Sequence, residues 1–279
     1  MTDDRPLTVG PLLTVRSGRV KEARKLSRRS VRTERRLFLA DGPKAVEGAL
    51  GVSVAVGASC AAEVFATAAA TQHYAELREV AAGLGVPWTT VEDRALASLS
   101  DSVTPAGLVA VCRFLDRPVE QVWEDADLVT ICADVRDPGN AGTVIRTADA
   151  AGAAALVLAG HSVDAYNAKT VRASVGSLFH LPLAITADPD ATVRQAHTAG
   201  LTVLAADGEG DLDLFDADDL LRRPVAWLFG NEAWGLPDEL ATLADRRVRI
   251  PIAGHAESLN LAAAAAVCLY ATARARRGH

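Results

Sequence analysis

The sequence lacks most of the features that would mark it for a membrane, a metal or an oxidising compartment. Aromatic residues make up only 5% of its 279 positions. Alanine and small aliphatics fill the apolar sites instead, which favours helices packed on sheets over a β-sandwich. The four cysteines, Cys60, Cys112, Cys132 and Cys268, lie far apart with no C-x-x-C pair. Neither a zinc ribbon nor a thioredoxin motif is therefore available, and each cysteine reads as a buried, reduced thiol. The opening Met1-Thr2-Asp3-Asp4 has no apolar core of a secretory signal. The Arg/Ser-rich stretch that follows carries Glu22 and Glu34 and runs on into a strand, unlike a transit peptide. The longest apolar run, 261–273, is too short and too alanine-rich to span a bilayer. A cytoplasmic protein with no metal and no membrane is expected.

Several enzyme signatures are also missing. No G-x-x-x-x-G-K-[ST] phosphate loop occurs, and no G-x-G-x-x-G follows a strand, which argues against a nicotinamide dehydrogenase. No H-x-x-x-H or G-x-S-x-G appears. The acidic stretch from Asp207 to Asp213 lacks the glycine and glutamate of a calcium loop and reads as solvated.

What is present is a core and an uneven charge. Hydrophobic residues make up 49% and charged residues 23%, enough apolar surface to fold. The net charge is −6, yet residues 1–36 hold eleven Lys/Arg against four acids and net +7. A basic segment on an acidic protein points to a polyanion met at one place, with Arg24, Lys25, Arg28 and Arg29 as candidate phosphate contacts. A solvated helix face is the alternative reading.

The pattern predicts two α/β units: 1–117, a linker over 118–126, and 127–279. In the first, helices are expected over 19–29, 44–50, 71–82 and 93–100, and strands over 36–40, 52–56, 88–91 and 108–112. In the second, apolar strands are expected over 128–133, 154–158, 201–205 and 226–229, and helices over 141–151, 168–174 and 259–276. Buried strands alternating with helices imply a mostly parallel sheet covered on both faces.

Three polar islands each follow an apolar stretch, where open parallel sheets bind ligands. The first runs from Asp137 to Asp149. Asn140 suits a helix N-cap, whereas Arg146 sits in an apolar helix and needs either a function or a pairing with Asp149. The second is Gly230-Asn231-Glu232-Ala233-Trp234-Gly235-Leu236-Pro237. Its glycines let backbone approach a ligand, and Glu232 reads as a helix-start residue or a catalytic one. The third spans Ile250 to Leu261. There Ser258 is a plausible N-cap, Asn260 costs helix propensity, and His255 is a loop histidine that is more often merely polar.

Together the order N-x5-R, G-N-E-x2-G-L-P and I-P-I-x-G-x3-S-L-N resembles the three motifs of the SpoU (TrmH-like) RNA ribose methyltransferases of the SPOUT superfamily. The resemblance covers about 127–276. The stretch from Arg36 to Lys44 resembles a frequent opening of the family's substrate-binding domain, with Asp41 where many relatives carry glutamate. The resemblance implies a deep trefoil knot in the C-terminal domain, an exception to the usual absence of knots. It implies S-adenosylmethionine held largely by backbone at Gly230, Ile250 and Leu259, and a homodimer through the catalytic domain and its C-terminal helix. It also implies a site of Asn140, Arg146, Glu232, Ser258 and Asn260. A guanidinium is effectively always protonated, so Arg146 is expected to clamp the developing alkoxide or adjacent phosphate, oriented by Glu232, and not to act as base. Trp234 would stack on a base or pack. Ribosomal RNA is the expected substrate, with tRNA as alternative, and an inactive RNA-binding homologue as the non-enzyme reading.

Overall fold

A strongly basic start and an apolar remainder fold as two units in the computed structural model, which describes residues 12–51 and 58–277. The opening Met1 to Asp4 and the strand expected over 52–56 lie outside the described residues. Unit 1 ends at Phe114 and unit 2 begins at Leu115.

In unit 1 the elements are α1 (Gly18–Arg24), α2 (Arg29–Arg35), β1 (Leu37–Asp41), α3 (Pro43–Leu50), β2 (Ala61–Ala66), α4 (Ala68–His73), α5 (Ala75–Gly83), β3 (Trp88–Thr90), α6 (Asp93–Ala97) and β4 (Leu108–Arg113). The sheet order is β1-β4-β2-β3, with β4 antiparallel to both neighbours and β3 parallel to β2. The helix expected over 71–82 is two helices broken at Tyr74, whose backbone leaves the helical region. Thr67 starts α4 by accepting a hydrogen bond from the Ala70 amide. Val20, Leu26, Phe65, Leu96 and Val109 bury together as the core.

Unit 2 contains β5 (Leu128–Ala133), α7 (Pro138–Ala150), β6 (Ala155–Ala159), α8 (Ala168–Ser174), β7 (Leu183–Thr186), α9 (Pro189–Thr198), β8 (Thr202–Ala206), β9 (Leu212–Asp213), α10 (Asp218–Leu221), β10 (Val225–Phe229), α11 (Asp238–Ala241), β11 (Arg246–Arg249) and α12 (Leu261–Arg277). Seven strands run parallel in the order β7-β6-β5-β10-β8-β11-β9. Every residue of β5, β6 and β10 is buried, as an interior parallel sheet requires. Val129, Ile131 and Ala133 meet α9 and α11 on one face. On the other face Trp227 stacks on Phe229, and its indole N–H donates to Thr272 of α12 at 2.9 Å.

The stretch 118–126, expected as a linker, is packed instead. Val122 and Trp123 bury in the core of unit 2, and the Trp123 indole N–H donates to Gln195 at 3.1 Å. An apolar pair that can bury will do so, whatever the neighbouring Pro118 suggests.

Candidate active site

The polar islands meet at the C-terminal ends of β5 and β10, the central strands of the parallel sheet. β5 stops at Asp134, which turns the chain through a left-handed conformation (φ 57°) that Asp tolerates. The Asp134 carbonyl accepts from the Asn231 side-chain amide at 2.7 Å, tying the end of β5 to the turn after β10.

Helix α7 then starts one turn earlier than expected. Pro138 occupies the first helical position, and Asp137 is the N-cap, accepting from the Asn140 amide at 2.8 Å. The same bond, helped by the Lys169 ammonium, holds the Asp137 carboxyl below the usual range against the opposing effect of burial. Asn140 is therefore not the cap, and its side chain is free for other partners. Its amide nitrogen donates to Glu232 at 3.1 Å, and its oxygen accepts from Asn260 at 3.0 Å. One residue from each island thus joins a single chain, Asn260–Asn140–Glu232.

Glu232 is saturated with donors. Besides Asn140, the backbone amides of Arg136 and Asp137 donate to its two oxygens at 3.1 and 3.0 Å. Burial alone would raise its pKa. The Arg136, Asp137 and Glu232 amides, with Asn140, outweigh that and hold the carboxyl below its ordinary value. The expected contact between Glu232 and Arg146 is not formed. Arg146 lies on the exposed face of α7 with no hydrogen bond or ion pair among the described residues, and Asp149 pairs with His180 at 3.4 Å.

The third island also differs from expectation. Asn260, not Ser258, caps α12, accepting from the Ala262 amide at 2.9 Å. A cap must sit beside the first helical residue, and α12 begins at Leu261. His255 is exposed and has no hydrogen-bond partner among the described residues.

Beside Glu232 lies a cavity of about 340 Å³, lined in part by Gly230, Ile250, Ser258 and Leu259, a volume normal for small-molecule sites. Its lining combines apolar Phe229, Val248 and Ile252 with acidic Asp207 and Glu257. Gly230 is needed by close approach: a Cβ there would stand 2.4 Å from the Gly235 carbonyl. This mixture fits a nucleoside cofactor, with apolar surface for a base and backbone and carboxylates for polar groups. A larger cavity of about 640 Å³ in unit 1, between Thr67 and Gly107, is lined by none of the motif residues. Among the described residues no group of three His, Cys, Asp or Glu is placed to hold a metal, and no helix is long and apolar enough to cross a membrane.

The basic segment is partly spoken for. Lys25 and Arg35 pair with Glu22 at 2.6 and 2.7 Å, Arg19 pairs with Glu63, and buried Arg32 donates to the Leu26 and Ser27 carbonyls. Arg24, Arg28 and Arg29 are exposed without ion pairs among the described residues. Of the four candidate contacts, Lys25 is thus the one already engaged within the protein.

The model of the SpoU rRNA Methylase family matches residues 127–270, and that of the MRM3-like substrate binding domain matches residues 18–110. The chain is 39% identical over 178 residues to the 23S rRNA (uridine(2479)-2'-O)-methyltransferase of Streptomyces viridochromogenes, covering 62% of this chain and 61% of that protein. It is 30% identical over 257 residues to the 23S rRNA (guanosine(2553)-2'-O)-methyltransferase RlmP of Bacillus subtilis, covering 92% of this chain and 96% of the relative. The crystal structure of an AdoMet-bound rRNA methyltransferase from Sinorhizobium meliloti matches with a TM-score of 0.81 at 32% identity, covering 94% of this chain and 98% of that one. With both units matched and the three islands joined through Asn260, Asn140 and Glu232, the chain belongs to the SpoU rRNA methylase family.

Proposed function

We propose that this protein transfers the methyl group of S-adenosylmethionine to a ribose 2′-hydroxyl of RNA, with ribosomal RNA as substrate. The observation that carries this reading is the Asn260–Asn140–Glu232 chain beside the cavity lined by Gly230, Ile250, Ser258 and Leu259. Three sequence motifs with no local reason to meet converge there. The named relatives that act on 23S rRNA support the choice of substrate.

The cofactor, held in that cavity, supplies an electrophilic sulfonium methyl. The protein's own work is to align the oxygen and to stabilise charge as the hydroxyl loses its proton to solvent water. Arg146, on the exposed face of α7 with no ion pair among the described residues, is a cation available to the developing alkoxide or the neighbouring phosphate. Glu232 spends its carboxylate on the β5–α7 turn and on Asn140, so it fixes the site and does not take the proton. Asn140 and Asn260 hold each other in one orientation, leaving Ser258 to bind the methionine end of the cofactor.

The same proposal includes a trefoil knot in unit 2. Supporting it, β10 lies between β5 and β8, and the chain returns from β11 through the cavity wall to pack α12 on α7. It includes a homodimer through unit 2. The side of α12 with Ala265, Cys268, Leu269 and Thr272 is buried inside its own unit, so the outward face with Ala263, Val267 and Tyr270 is the one left for a second copy. The cytoplasm, where ribosomal RNA is modified, is the proposed location. Mapping ribose methylations in rRNA from a deletion strain tests the reading: one 2′-O-methyl group should disappear, and an unchanged rRNA map would refute it.

A further inference from the structure

Trp234 is 61% exposed, whereas Trp227 is fully buried and Trp123 nearly so, and the half-buried Trp88 donates its indole N–H to Thr71 at 3.0 Å. The Trp234 indole has no partner among the described residues. Its backbone is nonetheless firmly placed. Asn231 and Gly235 exchange both backbone hydrogen bonds at 2.9 Å, and the Ala233 amide donates to the Asn231 side chain at 2.8 Å. Gly230 is packed against Gly235 from below.

The neighbours on both sides of this residue, Ala233 and Gly235, line the cofactor cavity, and Trp234 does not. A rigid turn therefore shows its small residues to the cofactor and holds its large ring in water, two positions from Glu232. The Arg136 side chain, whose own amide bonds Glu232, is also half exposed, in a long ion pair with Asp134 at 3.8 Å. An aromatic plane and a cation beside a reactive centre match the chemistry of an unstacked nucleotide: a π-face for the base and charge for its phosphate.

We propose that Trp234 is the stacking platform for an unpaired RNA base next to the methylated ribose. This deepens, and rests on, the RNA methyltransferase reading. A base drawn away from its neighbours loses stacking, and the indole replaces it. Every base has a π-face, so the ring fixes the position of the nucleotide and leaves its identity to other contacts.

The test compares the full-length protein with Trp234→Ala and Trp234→Phe, using a 23S rRNA transcript as probe. Alanine should raise the KM for RNA roughly 5- to 100-fold, the range expected for one lost base–aromatic stack. The loss should fall on KM more than on kcat, with cofactor affinity unaltered, and phenylalanine should restore most of it. Acrylamide should quench a fluorescence component that Trp234→Phe lacks, and RNA should shield that component. An unchanged KM for RNA in Trp234→Ala, with the wild type active, overturns this inference alone. Indole emission already shielded from acrylamide without RNA also overturns it, because a second copy of the chain would then occupy the ring. A wild type that methylates no RNA overturns the enzymatic reading and this inference together.

Discussion

On the proposed mechanism Arg146 and Glu232 divide the labour of the site in a way that single substitutions can separate. Losing one preorganised charge-stabilising group costs about 10²–10³ in rate, so Arg146→Ala should lose that much methyl transfer in single-turnover assays while cofactor affinity stays within a few-fold. Arg146→Lys should also be poor, since an ammonium cannot reproduce the planar fork. Glu232 behaves differently. Its folded pKa lies below its ordinary value, so it is ionised at neutral pH, and its contribution to stability is present above the unfolded carboxyl value of about 4.3. That contribution fades only as pH falls through the lower folded value. Glu232→Gln should therefore lower the rate without changing the shape of its pH profile between about 6 and 9, where no free carboxyl of ordinary or depressed pKa titrates. A limb that vanishes in this variant would make Glu232 the titrating base. Three of the thiols stay protonated: burial pushes Cys132 up to about 12 and raises Cys112 and Cys268 as well.

Two elements hold the site in place. The turn after β10 tolerates no side chain at Gly230, so Gly230→Ala must displace the Gly235 carbonyl and should abolish cofactor binding by calorimetry. Helix α12 is anchored from behind by the Trp227–Thr272 bond. Thr272→Val leaves a buried indole N–H unpaired and should cost about 1–3 kcal/mol in denaturant titrations. Both features were only half legible in the sequence. The apolar strands β5 and β10 and helix α8 stood out because an interior parallel strand is a run of buried residues and an Asn cap marks the start of α8. Strand β2, with three alanines among its six residues, and β11, with three arginines among its four, carry no such signal and take their form from tertiary pairing. The identities of the site residues were readable from motif order. Which of them cap and which join across the site was not, since that depends on α7 and α12 beginning one residue after Asp137 and Asn260 respectively.

At the scale of the whole molecule, two separate units share the task. On the proposed function unit 2 holds the chemistry, while unit 1 presents Arg24, Arg28 and Arg29, which have no ion pair among the described residues. Each neutralised phosphate contributes about 0.7 (single strand) to 0.9 (duplex) to the slope of log affinity against log salt. Replacing these three arginines by alanine should lower the slope by about 2–3, weakening RNA binding almost uniformly across sequences. An unaltered slope would reduce the segment to a solvated helix face. A fragment beginning at Leu115 should remain dimeric at micromolar concentration if unit 2 carries the interface; sedimentation as a monomer would contradict that. The central claim, ribose methylation, is tested most directly in vitro. Purified protein, S-adenosylmethionine with a labelled methyl group and unmodified rRNA are combined, and the RNA is digested to nucleosides. The account predicts label in a single 2′-O-methylnucleoside, incorporated about 10²–10³ times more slowly with Arg146→Ala. Label on a base, or no transfer to RNA at all, would contradict it.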